Sequence, residues 1–251
     1  VVFCFLWLCR LFDKKAAAVG TIVFSFVPYW FVDIYVRGVV GEVLAIAWVM
    51  LTFASIEQGW KTVTAVSIGL LIISHNIIAL LFLPVLFLYI FIRNRSFFIP
   101  LIFGIGISSY FWIPALLERF YVTGLNSVNF ADHFPALHQL FIPTWGTGFS
   151  QPGVPSDEMS FQIGLVPLLV LVLTVISLFR KDKNEIKRLA TGFFVLWTGA
   201  FLLMQEGSMW VWQKIFVLSY VQFPWRLLSL FLPSVGFLTA WLVSRWKIRI
   251  F

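Results

Sequence analysis

Residues 61–93 read KTVTAVSIGLLIISHNIIALLFLPVLFLYIFIR, with Lys61 and Arg93 at the two ends of 31 mostly apolar positions. A single straight helix over these positions would run ~46 Å, which is too long for a hydrocarbon core of ~30 Å. Two full spans would need about 40 residues. The sequence therefore predicts two short helices that turn at Ser74–His75–Asn76, inside a cavity because turn backbone cannot face hydrocarbon.

The rest of the chain shares this apolar character. Hydrophobic residues make up 61% of the sequence and charged residues 12%, with a mean hydropathy of +0.95, whereas typical globular chains have about 25% charged residues. The apolar runs are continuous and do not alternate, which favours spanning helices over barrel strands. The runs cover residues 1–11, 16–32, 39–55, 62–74, 77–92, 97–117, 161–179, 189–204 and 226–244.

The predicted fold class is thus an all-α polytopic membrane protein with about nine transmembrane helices. Because the chain opens inside an apolar run, we expect the first span to be truncated and the sequence to be a fragment of a longer chain. Residues 1–251 form one predicted transmembrane domain. The one long polar interruption, residues 118–160, is predicted to be a loop on one side of the bilayer.

Basic residues are unevenly distributed once the spans are assigned to alternate sides. The connectors of one side hold fourteen Lys and Arg residues, whereas the other side holds only Arg37, Arg119, Lys214 and Arg226. The positive-inside rule makes the first side cytoplasmic, so the C-terminal end is cytoplasmic and the long loop is extracytoplasmic. The net charge of +7 is then a topology signal, and no nucleic-acid partner is predicted.

An outer connector carries three charged residues within ten positions, Asp33, Arg37 and Glu42. Asp33 and Arg37 are four apart, so they could pair on a helical turn. Gly38 and Gly41 would let backbone or substrate approach closely. We consider Asp33 and Glu42 as catalytic candidates and Arg37 as a substrate-binding candidate; the structural alternative is a salt bridge that only orients the connector.

The turn at Ser74–His75–Asn76 places polar groups at membrane depth, where they are costly and usually face a cavity or a partner. His75 is a candidate proton carrier or substrate donor, and Asn76 is a candidate binding residue. The alternative is a hydrogen-bonded turn that satisfies the helix ends.

A second polar segment, Gln222–Phe–Pro–Trp225–Arg226, precedes the last apolar run. An arginine fork matches phosphate oxygens, so Arg226 is a candidate phosphate clamp, with Gln222 and Trp225 beside it. The alternative is an arginine that snorkels to lipid headgroups.

In the long loop, apolar residues at 130, 134, 137 and 141 have helical spacing, which predicts a short interfacial helix with Asp132 as its N-cap. His133 and His138 are five apart and do not share a helix face, which disfavours a two-histidine zinc site. These three residues are substrate-binding candidates. Trp145 could stack on a sugar or sit in the headgroup belt.

Asp157 and Glu158 follow Ser156 at the start of the next apolar run. Their simplest role is to occupy a capped first helical turn, where the helix dipole favours acids. Metal binding is the weaker alternative, and it leaves a divalent cation open as a cofactor.

Several segments, in order along the chain, resemble one family. They are Asp33-Ile-Tyr-Val-Arg-Gly with Glu42, Ser74-His-Asn, Phe111-Trp-Ile-Pro114, Pro143-x-Trp-Gly146, Met159-Ser-Phe-Gln-Ile-Gly164 and Gln222-Phe-Pro-Trp-Arg226. The chain is similar in these to the bacterial and archaeal membrane proteins called 6-pyruvoyl-tetrahydropterin synthase-related, which look like GT-C type glycosyltransferases. The resemblance covers most of the chain.

The resemblance implies a prokaryotic plasma-membrane enzyme that transfers a sugar from a polyprenyl-phosphate donor to an acceptor at the outer face. GT-C enzymes place a key acid in the first outer loop, near the N-terminus, and in a fragment we expect that loop to precede the given sequence. Asp33 and Glu42 match a later outer loop and are therefore second candidates for the base. Arg226, with Arg37, would offset charge on the leaving phosphate, and His75 or His133 would hold the sugar or the phosphate. The alternatives are a transporter or lipid flippase and a non-catalytic membrane scaffold. The sequence leaves the oligomeric state open.

Overall fold

The computed structural model describes residues 1–121, 128–142, 159–179 and 185–246, and all regular elements within these ranges are helical. The α-helices are α1 Val2–Leu11, α2 Lys14–Ser25, α3 Pro28–Phe31, α4 Val40–Gln58, α5 Lys61–Ser74, α6 Asn76–Arg93, α7 Phe98–Ile107, α8 Ser109–Leu117, α9 Leu137–Phe141, α10 Leu165–Leu178, α11 Glu185–Leu203, α12 Met209–Lys214, α13 Phe216–Ser219 and α14 Phe231–Trp246. A π-helical turn, Val32–Val36, follows α3. Short 3₁₀ turns are Arg95–Phe97, Arg119–Tyr121, Phe130–His133, Glu206–Ser208 and Pro224–Leu230.

Four helical segments in the described ranges are long and apolar enough to cross a membrane: Val40–Gln58, Asn76–Arg93, Glu185–Leu203 and Pro224–Trp246. The number rises to six if each of two bent helix pairs counts as one span. α1, α5 and α10 are apolar but shorter than 18 residues. The structure thus supports a multi-span helical membrane protein with four to six candidate spans, where the sequence predicted about nine.

Two apolar runs that were predicted as single spans are broken. Between α2 and α3 the chain bends by 47°, because Pro28 disfavours helical backbone at Val27 and donates no hydrogen bond. Between α7 and α8 the bend is 60°. There the Ser108 hydroxyl and the Trp112 indole both donate to the Ile105 carbonyl, so side chains occupy a carbonyl that a continuous helix would use.

The predicted turn at Ser74–His75–Asn76 is confirmed, but of the two helices beside it only α5 is short, since α6 is long enough to cross a membrane. α5 ends at Ser74, His75 has extended backbone, and α6 begins at Asn76. At the far end of α6, Arg93 forms an ion pair with Glu57 near the end of α4. α4 therefore has an acid at each end, Glu42 beside the turn and Glu57 beside Arg93.

The middle of the bundle is aromatic and closely packed around α14. The ring of Phe237 lies 4.7 Å from that of Phe193 on α11, and Trp7 on α1 stacks at 4.7 Å on Phe53 of α4. Gly20 on α2 faces the backbone of α14, where an added Cβ would lie 2.5 Å from the Gly236 carbonyl oxygen. Small residues at such contacts let membrane helices approach closely.

The predicted interfacial helix with Asp132 as its N-cap is wrong. The segment forms a 3₁₀ turn at Phe130–His133, capped by the side chain of Asn129, and a separate α9. Pro135 lies between them and forces extended backbone at the preceding residue, so one helix cannot continue through it.

Candidate functional site

Two acids and an arginine meet in the interior at the end of α4 that faces the α5–α6 turn. Asp33 comes from the π-helical turn, Arg37 follows that turn, and Glu42 lies in the first turn of α4. One nitrogen of Arg37, Nη1, lies 2.5 Å from Asp33 Oδ1 and 2.9 Å from Glu42 Oε2. Both acid side chains are fully buried and that of Arg37 is 10% exposed. The predicted Asp33–Arg37 ion pair is thus present, and Glu42 is a second acidic partner of Arg37.

The local backbone explains how three charges reach one point. The N–H of Arg37 donates to the carbonyl of Val32 at 2.9 Å, which closes the π-helical turn, a feature common at functional sites. Gly38 has φ +62°, a left-handed conformation that favours glycine, and it ends the turn so that α4 can begin. Glu42 then lies in the first turn of α4, where the helix dipole favours a carboxylate.

Tyr29 is a member of the cluster that sequence reasoning missed. Its buried hydroxyl donates to Glu42 Oε1 and lies 3.4 Å from Arg37 Nη1. Tyr29, Asp33 and Arg37 are spaced four apart, which is the helical signal that could have identified the tyrosine. Burial by itself lowers the pKa of Arg37, but Tyr29 and the two acids outweigh it, and the pKa of the guanidinium is raised.

His75 approaches the same cluster from the α5–α6 turn. Its Nδ1 accepts the N–H of Ile78 at 3.2 Å, and its Nε2 lies 3.8 Å from Glu42 Oε2. Burial lowers the pKa of His75, and the nearby Glu42 does not fully offset this effect. A neutral ring that accepts at Nδ1 carries its proton on Nε2, so His75 presents an N–H toward Glu42. Gly41 permits the approach, since a Cβ there would lie 2.8 Å from the Ser74 carbonyl oxygen.

Trp225 forms a wall shared by two arginines. The Arg37 guanidinium carbon lies 4.7 Å from the centre of its ring, and that of Arg226 lies 6.0 Å away. Trp225 is itself buried and stacks on Phe161 at 5.5 Å. The indole therefore fixes the relative positions of the two guanidinium groups.

Arg226 is the cation of this group that lacks an acidic partner. It is 9% exposed, and Nη1 donates to the Val221 carbonyl at 3.0 Å and to Gln222 Oε1 at 3.2 Å. Among the described residues, no carboxylate lies within 4.0 Å of it, and its buried Nε makes no hydrogen bond. Gln222 holds an uncommon left-handed backbone, φ 67°, next to the carbonyl that Arg226 contacts.

Open acceptor atoms lie in the same place. Asp33 Oδ2 and Glu42 Oε2 are buried without hydrogen bonds within the ranges that the structure describes. The 2.9 Å contact of Glu42 Oε2 with Arg37 is an ion pair whose angle does not fit a hydrogen bond. The cluster therefore combines open carboxylate oxygens with an unmatched guanidinium, which suits a ligand that carries both a donor group and an anion.

The structure brings together most of the predicted residues: Asp33, Arg37, Glu42, His75, Gln222, Trp225 and Arg226. His133 is adjacent, with its ring 4.7 Å from that of Phe223, which also lies against Arg226. Asn76, Asp132 and His138 are instead exposed, and no hydrogen bond or ion pair described here joins them to the cluster. The role of these three residues in substrate binding stays a prediction.

The predicted metal candidates Asp157 and Glu158, and also Trp145, lie outside the described residues. Within the described ranges, no group of three or more His, Cys, Asp or Glu side chains could hold a metal ion. Comparisons of the chain with protein-family models, with curated proteins and with solved structures found no match. The fold and the site define a protein whose described elements are all helical, with apolar helices able to span a membrane and a buried ionic cluster at one end of them.

Proposed function

We propose that this protein is a membrane glycosyltransferase of the GT-C type, which moves a sugar from a polyprenyl-phosphate-linked donor to an acceptor. The observation that carries the proposal is the buried Arg226 guanidinium without a carboxylate partner. Glu42 and Asp33 act on this guanidinium only from beyond ion-pair distance. In buried ion pairs, the lack of a direct partner typically costs about 3–5 kcal/mol. A phosphate bound at Arg226 would remove that cost, because an arginine fork matches two phosphate oxygens.

The proposed topology places this site on the extracytoplasmic side of the plasma membrane. The cluster lies at the end of α4 opposite to Glu57 and Arg93, and Arg93 belongs to the basic connectors that the positive-inside rule assigns to the cytoplasm. In this proposal α1, α5 and α10 also cross the bilayer together with the bent pairs, which gives nine crossings in a GT-C-like arrangement. A donor would reach the site from the outer leaflet.

The cluster supplies the groups that such a transfer needs. In the proposed reaction, Glu42 Oε2 accepts the proton of the acceptor hydroxyl, whose oxygen bonds to the anomeric carbon of the sugar. The bond between that carbon and the phosphate oxygen breaks, and polyprenyl phosphate leaves with the electron pair. Arg226 stabilises the charge on the departing phosphate, while His75 donates a hydrogen bond to the sugar or the acceptor.

Release of polyprenyl phosphate from lipid-linked sugars, measured with the full chain in liposomes, tests the proposal. We expect Arg226→Ala to lower the rate at least ~100-fold, as loss of one charge-stabilising donor commonly does. Arg119→Ala is the matched control, because Arg119 contacts Tyr220 and not the cluster, and it should leave the rate unchanged. Retained turnover in a folded Arg226→Ala variant would refute the assignment.

One observation favours a transporter as the second candidate. Buried hydroxyl groups pair between α4 and α5, Thr52 with Ser67 at 2.8 Å and Ser55 with Thr64 at 2.7 Å. They lie between the cluster and the Glu57 end of α4, so they form a polar track between the two helices. A transporter would move protons or lipid across the same liposomes without releasing polyprenyl phosphate, and a non-catalytic scaffold would do neither.

A further inference from the structure

We infer that the lipid-facing belt of this protein, positions 77–92 of α6 and 189–204 of the α11 segment, fits a hydrocarbon layer of only ~24 Å and selects phospholipids with short acyl chains. A typical bilayer has a hydrocarbon core of ~30 Å. The inference concerns the outer surface of the helices and not the ionic cluster. It therefore holds whether the protein is a transferase, a transporter or a scaffold.

The length of the belt follows from α6 and α11, which are both long and apolar enough to cross a membrane and are mostly not buried inside the protein. The polar end residues of α6, Asn76 and Arg93, leave sixteen apolar positions between them. In α11, sixteen positions without a charged residue follow Arg188, from Leu189 to Met204. At 1.5 Å per residue each run extends ~24 Å, and any tilt makes the layer that it crosses thinner.

α4 gives an independent measure of the distance between the two polar levels. It is one continuous helix that contains Glu42 and Glu57, fifteen positions apart, which corresponds to ~22 Å. Glu42 lies 3.8 Å from His75, the N-cap of α6, and Glu57 pairs with Arg93 at the other end of α6 at 2.7 Å. Both ends of α6 are thus fixed to acids of α4, so α6 cannot slide to cross a thicker layer.

Arg93 is also unable to adapt by extending its side chain. Long basic side chains at helix ends commonly reach out to the headgroups. Arg93 is instead held by two acids, since Nε and Nη2 each donate to Glu57 at 2.7 Å and Nη1 donates to Glu185 at 2.9 Å. Glu185 is the first residue of α11, so α4, α6 and α11 meet at one charged level. A thicker bilayer would place this level in hydrocarbon unless the lipid thins around the protein.

The remaining lipid-facing helices agree with a thin layer. α10 has 14 residues, which extend ~21 Å, and its exposed face is apolar from Leu165 through Leu169 and Val172 to Ile176. The α7–α8 pair is longer, but its 60° bend reduces the depth that it crosses. A hydrocarbon layer near ~24 Å therefore suits all of them.

Quenching of tryptophan fluorescence by brominated lipids tests the inference, because it gives the relative affinity of the protein surface for two lipids that compete for it. The full chain is reconstituted in phosphatidylcholine mixtures with dimyristoleoyl, dioleoyl and dierucoyl chains, one lipid of each pair being brominated. The exposed residues Trp60, Trp210 and Trp246 report the contact. We expect the dimyristoleoyl lipid to bind at least about threefold more strongly than the dierucoyl lipid, with the dioleoyl lipid between them, since mismatch has a cost for each added Å.

A double substitution at one edge of the belt changes its length. Lys187→Leu with Arg188→Leu extends the apolar run of α11 back to Ile186, which adds ~4 Å, and should reduce the dimyristoleoyl-to-dierucoyl ratio about 1.5-fold. Lys187→Gln with Arg188→Gln is the matched control. It removes the same two charges without extending the apolar run, so the ratio should stay at the wild-type value.

The wild-type series decides the inference even if the variants do not fold. Equal affinities for the three lipids, or strongest binding of the dioleoyl or the dierucoyl lipid, would overturn it. An unchanged ratio in the leucine variant would overturn it as well, because the belt would then not end at Arg188. The same holds for a ratio that falls equally in the glutamine control, since charge and not length would then set the preference.

Discussion

Replacement of Arg37 by methionine should destabilise the fold, and a second substitution should rescue it. Methionine fills the space of the arginine stem over Trp225 but leaves Asp33 and Glu42 without their shared cation. The two acids are fully buried, so water cannot replace the lost ion pairs. The predicted effect therefore comes mainly from charge, and lost packing contributes little.

The magnitude follows from the contacts of Arg37 Nη1. Its distances of 2.5 and 2.9 Å to the two carboxylates mean that these oxygens lie close together. Two unit charges about 5 Å apart repel by roughly 3 kcal/mol at an effective dielectric constant of about 20. Removal of one partner from a buried pair typically costs about 3–5 kcal/mol, so we expect a loss in that range for Arg37→Met.

Thermal unfolding in mild detergent, followed by tryptophan fluorescence, measures this loss. A cost of that size corresponds to a fall in Tm of roughly 6–20 °C for a chain of this length. Asp33→Asn added to Arg37→Met removes the repulsion and should recover most of the roughly 3 kcal/mol. The wild type, Arg37→Met, Asp33→Asn and the double variant form a double-mutant cycle. In this cycle the effects of the two substitutions on stability should be strongly non-additive. Additive effects on Tm would refute the shared-cation reasoning.

Two further predictions concern the close contact between Gly41 and the α5–α6 turn, and the ion pair at the other end of α4. Gly41→Ala should lower kcat in the polyprenyl phosphate release assay, because the added Cβ would push the turn that carries His75 away from Glu42. Gly192→Ala is the control and should leave the rate unchanged, since a Cβ there would meet no atom within 4 Å. Arg93→Ala should cost about 2–4 kcal/mol of unfolding free energy, because it leaves the nearly buried Glu57 with only the Tyr89 hydroxyl as a partner. Glu185→Ala, which removes an exposed partner, should cost less than about 1 kcal/mol. Equal Tm shifts for these two variants would contradict the difference in burial.

Several features of the site could be predicted because their signals are local. A polar triplet inside an apolar run predicted the turn at His75, and the turn lies there. The spacing of Asp33 and Arg37 predicted their ion pair. Arg226 stood out as an isolated charge at the start of an apolar segment, and the structure places it beside the other charges through Trp225.

What could not be predicted depends on packing between distant segments or on backbone detail. Tyr29 lies within a predicted apolar span, although its spacing to Asp33 is helical and its hydroxyl donates to Glu42. Hydropathy alone gave no sign of the bend that Pro28 introduces, because the run is apolar on both sides of it. Near Asp132 the apolar spacing continues through Pro135 and so predicts one helix, whereas the structure has a 3₁₀ turn there.

The cluster has a structural role that any study of its function must separate from chemistry. Lipid provides little hydrophobic force between helices, so membrane bundles depend on close packing and polar contacts. Here Glu42 joins the start of α4 to the π-helical turn through Arg37 and lies near the α5–α6 turn at His75, while Glu57 and Arg93 join α4 to α6 at the other end. Loss of activity in a cluster variant is therefore informative only where a neutral isostere or a paired substitution keeps the fold.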